Sequence, residues 1–138
     1  MTEPQSPRAH SHIQRAATQF YWIAAFSFVN IVLLLTEVDA VFPIGLTMAS
    51  LLAALASLLE LTGRVLAAMG ALGIVGLFAL FGYFGKKGAS WPFIAGIAIY
   101  TLDGIIWGLL LDWIGPVFHV ILLFFIIRDL IAHQRQAP

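Results

Sequence analysis

One aspartate sits where an aspartate is costly. Asp103 lies inside the apolar run from Trp91 to Leu111. It is about nine residues from the far end of that run, roughly 13 Å at the rise of an α-helix. A carboxylate at such depth in a bilayer costs about 2.5–3.5 kcal/mol on insertion scales, so it should face the interior of a bundle and find a partner or a proton there. Tyr100 precedes it by one helical turn, on the same face. His119 is the sole histidine within the apolar region, and Asp112 lies between it and Asp103. Asn30, in an earlier apolar run, lies about seven residues before Glu37, a similar depth if the two runs cross in the same direction.

Asn30, Tyr100, Asp103, Asp112 and His119 could therefore converge on one polar site near one end of a bundle. A carboxylate–imidazole cluster can relay protons or hold a cation, with Asp103, Asp112 and His119 as candidate metal ligands. It can equally be a hydrogen-bond clasp that fixes how helices pack. A hydrolytic metal centre is a poorer fit, because the ligands are few and no HExxH spacing occurs. A haem- or quinone-binding module with His119 as an axial ligand would need a second ligand that one chain does not offer. His10 and His12 make a further pair near the N-terminus, read as solvated tail residues rather than as a metal site.

These residues are held by an exceptionally apolar chain. Of 138 residues, 61% are hydrophobic and 10% are charged, against about 45–50% and about 25% in soluble domains. So small a soluble fold could not bury that much apolar surface. Zero cysteines exclude disulfides and thiolate metal sites. A formal net charge of zero without a long basic run gives no footprint for nucleic acid. No phosphate-binding glycine loop or nucleophile elbow is present, and neither an enzyme nor a cofactor is expected.

The pattern predicts an all-α integral membrane bundle: four transmembrane helices plus one interfacial or re-entrant amphipathic helix. Residues 1–19 read as a disordered cytoplasmic tail and 133–138 as a second polar tail. The spans are placed at about 20–36, 65–84, 91–111 and 114–132, each near the roughly 17–25 residues a crossing needs. A cleaved signal peptide is a weaker reading of the first run, since acids occupy the would-be cleavage zone at Val38-Asp39-Ala40.

Residues 43–62 are the ambiguous segment. Met48, Leu51, Leu52, Leu55, Leu58 and Leu59 recur at helical spacing, opposite a small-residue face of Ala49, Ser50, Ala53, Ala54, Ala56, Ser57 and Glu60. If this segment does not cross, then Arg8, Arg15, Lys86, Lys87, Arg128 and Arg135 share one side against Arg64 alone. If it crosses, the basic residues divide almost evenly. The positive-inside rule favours the first arrangement, with both termini cytoplasmic. Glu37, Asp39, Glu60 and Asp112 then make the outer face acidic.

Gly70, Gly73 and Gly76 fall at every third position of one run, and Gly104 and Gly108 form a GxxxG beside Asp103. Glycines so placed let helix backbones approach closely, within the chain or against a partner. Trp22, Trp91 and Trp113 mark expected interfaces.

The string Gly82-Tyr83, Trp91-x-Phe93, Tyr100-x-x-Asp103, Asp112-Trp113-x-Gly115, Phe118-His119 and Arg128 resembles a group of small bacterial polytopic membrane proteins. It covers roughly residues 78–130. The resemblance implies a bacterial inner membrane and a compact four-helix architecture, and brings no activity with it. The expectation is an accessory or structural subunit whose partners are the lipid bilayer and either itself or a larger membrane complex. The alternative is a small homo-oligomeric transporter or channel for protons or metal cations using Asp103 and His119.

Overall fold

The computed structural model describes residues 7–36, 42–110 and 113–136. The elements are α1 (Pro7–Leu35), α2 (Thr47–Leu58), α3 (Leu61–Lys86), α4 (Trp91–Leu110) and α5 (Ile114–Gln136). Four of them are long and apolar enough to cross a membrane, so the chain is a multi-pass membrane protein. The exception, α2, has 12 residues. At about 1.5 Å per residue it measures about 18 Å, well short of a hydrocarbon core of about 30 Å.

The expected tail over residues 1–19 is corrected from Pro7 onward, where α1 already begins. Ile13, Ala16, Ala17, Phe20, Ile23 and Ala24 form a continuous buried stripe along it. Ser11, Gln14, Arg15, Thr18 and Gln19 dilute the apolar pattern there, but small residues at helical spacing still dock this turn against its neighbours. α5 likewise continues to Gln136, past the boundary expected at 132.

The first turns of α1 and the last turns of α5 meet at one end of the bundle. His12 Nδ1 lies 3.4 Å from Asp129 Oδ1 on α5, and Gln14 Nε2 donates to the Lys86 carbonyl at 2.9 Å. The turn after α3 lies at that end too. Gly88 takes φ +87°, a left-handed conformation that suits glycine. Its N–H donates to the Gly85 carbonyl at 3.0 Å, and that of Ala89 donates to Phe84 at 3.1 Å, the paired bonds of a Schellman stop. Arg15, Lys86, Lys87, Arg128 and Arg135 cluster at this end, while Arg64 follows the α2–α3 turn at the other.

The middle of the bundle is aromatic. The Phe20 ring lies 6.0 Å from Phe78, 5.9 Å from Phe81 and 5.7 Å from Phe93, and Phe78 lies 6.3 Å from Tyr100. Gly96 makes room for this cluster, since a Cβ there would meet the Phe20 ring.

α2 packs through its small-residue face. Its alanine face is buried, with Ala49 and Ala56 at 0% exposure, whereas Met48, Leu51, Leu55 and Leu58 point outward. Alanines let the short helix press close to the bundle, and the leucines are left on the outside. The glycines also divide. A Cβ on Gly104 would lie 2.9 Å from His119, and one on Gly108 would lie 2.8 Å from Pro116, so the α4–α5 approach depends on both. Gly70 has only an ordinary contact with Leu52, and Gly73 and Gly76 have nothing within 4 Å. Packing inside the chain therefore does not explain the α3 stripe.

Candidate functional site

After α1 the chain doubles back into the bundle. Asn30 Nδ2 donates to the Phe42 carbonyl at 2.9 Å, and Asn30 Oδ1 accepts the Phe42 N–H at 2.7 Å. One turn deeper, the Ser27 hydroxyl donates to the Ile23 carbonyl at 2.6 Å and accepts the Leu46 N–H at 2.8 Å. Gly45 lies so close to α1 that a Cβ would strike Asn30 and lie 3.1 Å from the Ser27 backbone. From the other side Tyr100 OH donates to the Ile44 carbonyl at 2.9 Å. An irregular strand at this depth is tolerated only where protein groups satisfy its backbone, and α1 and α4 supply those groups.

α2 begins at the bottom of this dip. Its N-cap, Leu46, offers no side-chain hydrogen bond. The cap comes from α4 instead: Thr47 N–H donates to Asp103 Oδ2 at 2.8 Å, and Met48 N–H donates to Oδ1 at 2.9 Å. A carboxylate satisfies helix-terminal N–H groups and lies favourably in the field of the helix dipole.

The same carboxylate faces His119, whose Nε2 lies 3.2 Å from Oδ2. The other ring nitrogen, Nδ1, lies 2.8 Å from the Gly115 carbonyl. A carbonyl only accepts, so Nδ1 carries a proton and donates it. Nε2 is left to face the carboxylate. Tyr100 stacks on the imidazole with 4.2 Å between centroids and 22° between planes. Asp103 and His119 are each 2% exposed, so this polar unit is sealed from its surroundings.

The structure thus brings together Asn30, Tyr100, Asp103 and His119, all around residues 42–48. Asn30 reaches the dip through Phe42 and makes no direct bond to Asp103 among those found. Asp112 lies outside the described residues, as do Glu37 and Asp39. Among the described residues no three His, Cys, Asp or Glu side chains come together as metal ligands, and both His119 nitrogens are engaged.

Three participants escape the sequence reading. Ser27 looks like an ordinary small helix residue. Thr47 gives no signal of its own, yet it is fully buried and its Oγ1 has no hydrogen-bond partner among the described residues. Asp129 is buried at the opposite end of the bundle, 3.2 Å from Arg128 Nη2 as well as near His12. Its place beside Arg128 near a polar helix end carries no sequence signal of burial.

Between the two polar groups stands the aromatic layer of Phe20, Phe78, Phe81 and Phe93. Comparisons with family models, curated proteins and solved structures returned no match for this chain.

Proposed function

We propose that this chain is an accessory or structural subunit of a membrane assembly in the bacterial inner membrane, with its N- and C-termini cytoplasmic. The observation that carries this reading is how the buried polar groups are used. Asn30, Ser27, Tyr100 and Asp103 each bond to the backbone of residues 42–48. Their chemistry serves the fold of the chain itself, as polar clasps between membrane helices do. The outward stripe of Gly73 and Gly76 supports a second helix, from another copy or a larger partner, approaching α3 closely. The orientation rests on the basic end carrying Lys86, Lys87, Arg128 and Arg135.

Gentle detergent purification followed by mass analysis tests this reading. The expected result is a defined assembly larger than one chain. A lone monomer in several mild detergents overturns it.

The competing reading is a small homo-oligomeric transporter or channel for protons or metal cations through Asp103 and His119. One observation favours it: a short helix begins inside the bundle, as the discontinuous helices of transporters do, and here its N-terminus is held by the chain's own Asp103. The aromatic layer opposes it, because it separates Asp103 from Asp129 within one chain. Proton or cation flux into liposomes that is lost in Asp103→Asn would establish this alternative.

A further inference from the structure

We propose that the basic end of α5 is a binding site for one anionic phospholipid. A groove of about 540 Å³ runs along the helix, lined by Phe124, Ile127, Arg128, Ile131, Ala132 and Arg135.

Arg128 and Arg135 stand two helical turns apart, about 10 Å along the axis. Arg128 is held in place on its own helix. Its Nη2 lies 3.2 Å from Asp129 Oδ1, and its guanidinium carbon lies 4.9 Å from the centre of the Phe125 ring. Its side chain is nevertheless 50% exposed, whereas that of Asp129 is 4% exposed. The guanidinium therefore still presents donors outward while its anionic partner does not. Arg135 makes no ion pair among the described residues. The groove thus carries unneutralised positive charge, and arginine is the side chain best matched to the oxygens of a phosphodiester.

The order of residues selects a lipid over a soluble anion. Toward the middle of the bundle the groove offers Phe124, Ile127 and Ile131, which are 60%, 40% and 43% exposed. Arg128 stands beside this bed, and Arg135 closes the groove toward the helix end. A phospholipid has the same order, from hydrocarbon chain to charged headgroup. Inorganic phosphate would use the arginines and leave the apolar bed uncovered. Basic residues facing an anionic leaflet contribute about 1 kcal/mol each.

The inference is tested on the full chain in detergent, by native mass spectrometry and thermal unfolding with added phosphatidylglycerol, phosphatidylcholine or inorganic phosphate. Phosphatidylglycerol should bind and raise the unfolding temperature more than phosphatidylcholine. Arg135→Gln should weaken that binding about five-fold, the factor that about 1 kcal/mol gives. Because Arg135 has no ion-pair partner among the described residues, the variant should unfold at the wild-type temperature without lipid. Arg64→Gln removes the same charge at the other end and should leave lipid binding unchanged. Equal binding of the two lipids, or unaltered binding in Arg135→Gln, overturns the site. Equal stabilisation by inorganic phosphate overturns its assignment to a lipid.

Discussion

Asp103 caps the helix that begins at Thr47, 56 residues earlier in the chain, through a bond of 2.8 Å to its N–H. The carboxylate is also paired with His119, so its removal affects two elements together. Asp103→Asn should lower stability by about 3 kcal/mol, the lower end for breaking a buried charged pair. Neutral hydrogen bonds between membrane helices average about 0.6 kcal/mol. Unfolding in detergent therefore separates the two cases, and a loss near the smaller figure would mean that the pair has no charged character.

Tyr100→Phe removes the hydroxyl bonded to the Ile44 carbonyl and leaves that part-buried carbonyl without its donor. The expected cost is about 1–2 kcal/mol. Combined with Asp103→Asn the loss should be less than additive, because both side chains hold the same dip in the backbone. Strict additivity in a double-mutant cycle would show that the two bonds act independently.

Thr47→Val should be neutral or stabilising by up to about 1 kcal/mol. It removes a buried hydroxyl without a partner and keeps the N–H that Asp103 accepts. A clear destabilisation would reveal that the hydroxyl holds a bound water or ion.

The glycines predict opposite outcomes on two helices. Gly96→Ala drives a methyl into the Phe20 ring and should cost about 1–3 kcal/mol. Gly76→Ala meets no atom within 4 Å and should be neutral or gain up to about 1 kcal/mol from helix propensity. Gly73→Leu with Gly76→Leu should leave the monomer folded and reduce the assembly seen by mass analysis. An unchanged assembly would remove α3 from the interface.

The absence of native cysteine makes labelling clean. A cysteine at Ala89 should react with a membrane-impermeant reagent only from the cytoplasm, and one at Glu60 only from the opposite side. Labelling of both from the same side would contradict the four-span arrangement.

The four spans are legible because long apolar runs carry a strong signal, and the two-faced pattern of residues 43–62 together with charge balance keeps that segment from becoming a fifth. Asp103 and His119 stand out because a buried charge among apolar residues is conspicuous. Less is legible where the partner is backbone. Ser27 and Thr47 act through contacts to main chain far away in sequence, and residue type does not record such contacts. Gly45, Gly82, Gly96 and Gly115 matter more to packing than the regular α3 stripe does. What sets their role is the ring or backbone opposite each of them, such as Trp107 across from Gly115, and spacing cannot report that. α1 shows the same limit, since alanines docked against a neighbour look like polar tail when read beside Gln14 and Arg15.

The borrowed cap on α2 imposes an order on biogenesis. When residues 42–58 leave the ribosome, the carboxylate that will bond to Thr47 and Met48 does not yet exist. At about 5–20 residues per second it follows roughly 3–11 seconds later. In that interval the two N–H groups can be satisfied by water but not by hydrocarbon, so α2 must wait at the membrane surface until α4 is inserted. A chain stalled before residue 103 should therefore leave residues 44–50 open to protease or labelling reagent, and the completed chain should protect them.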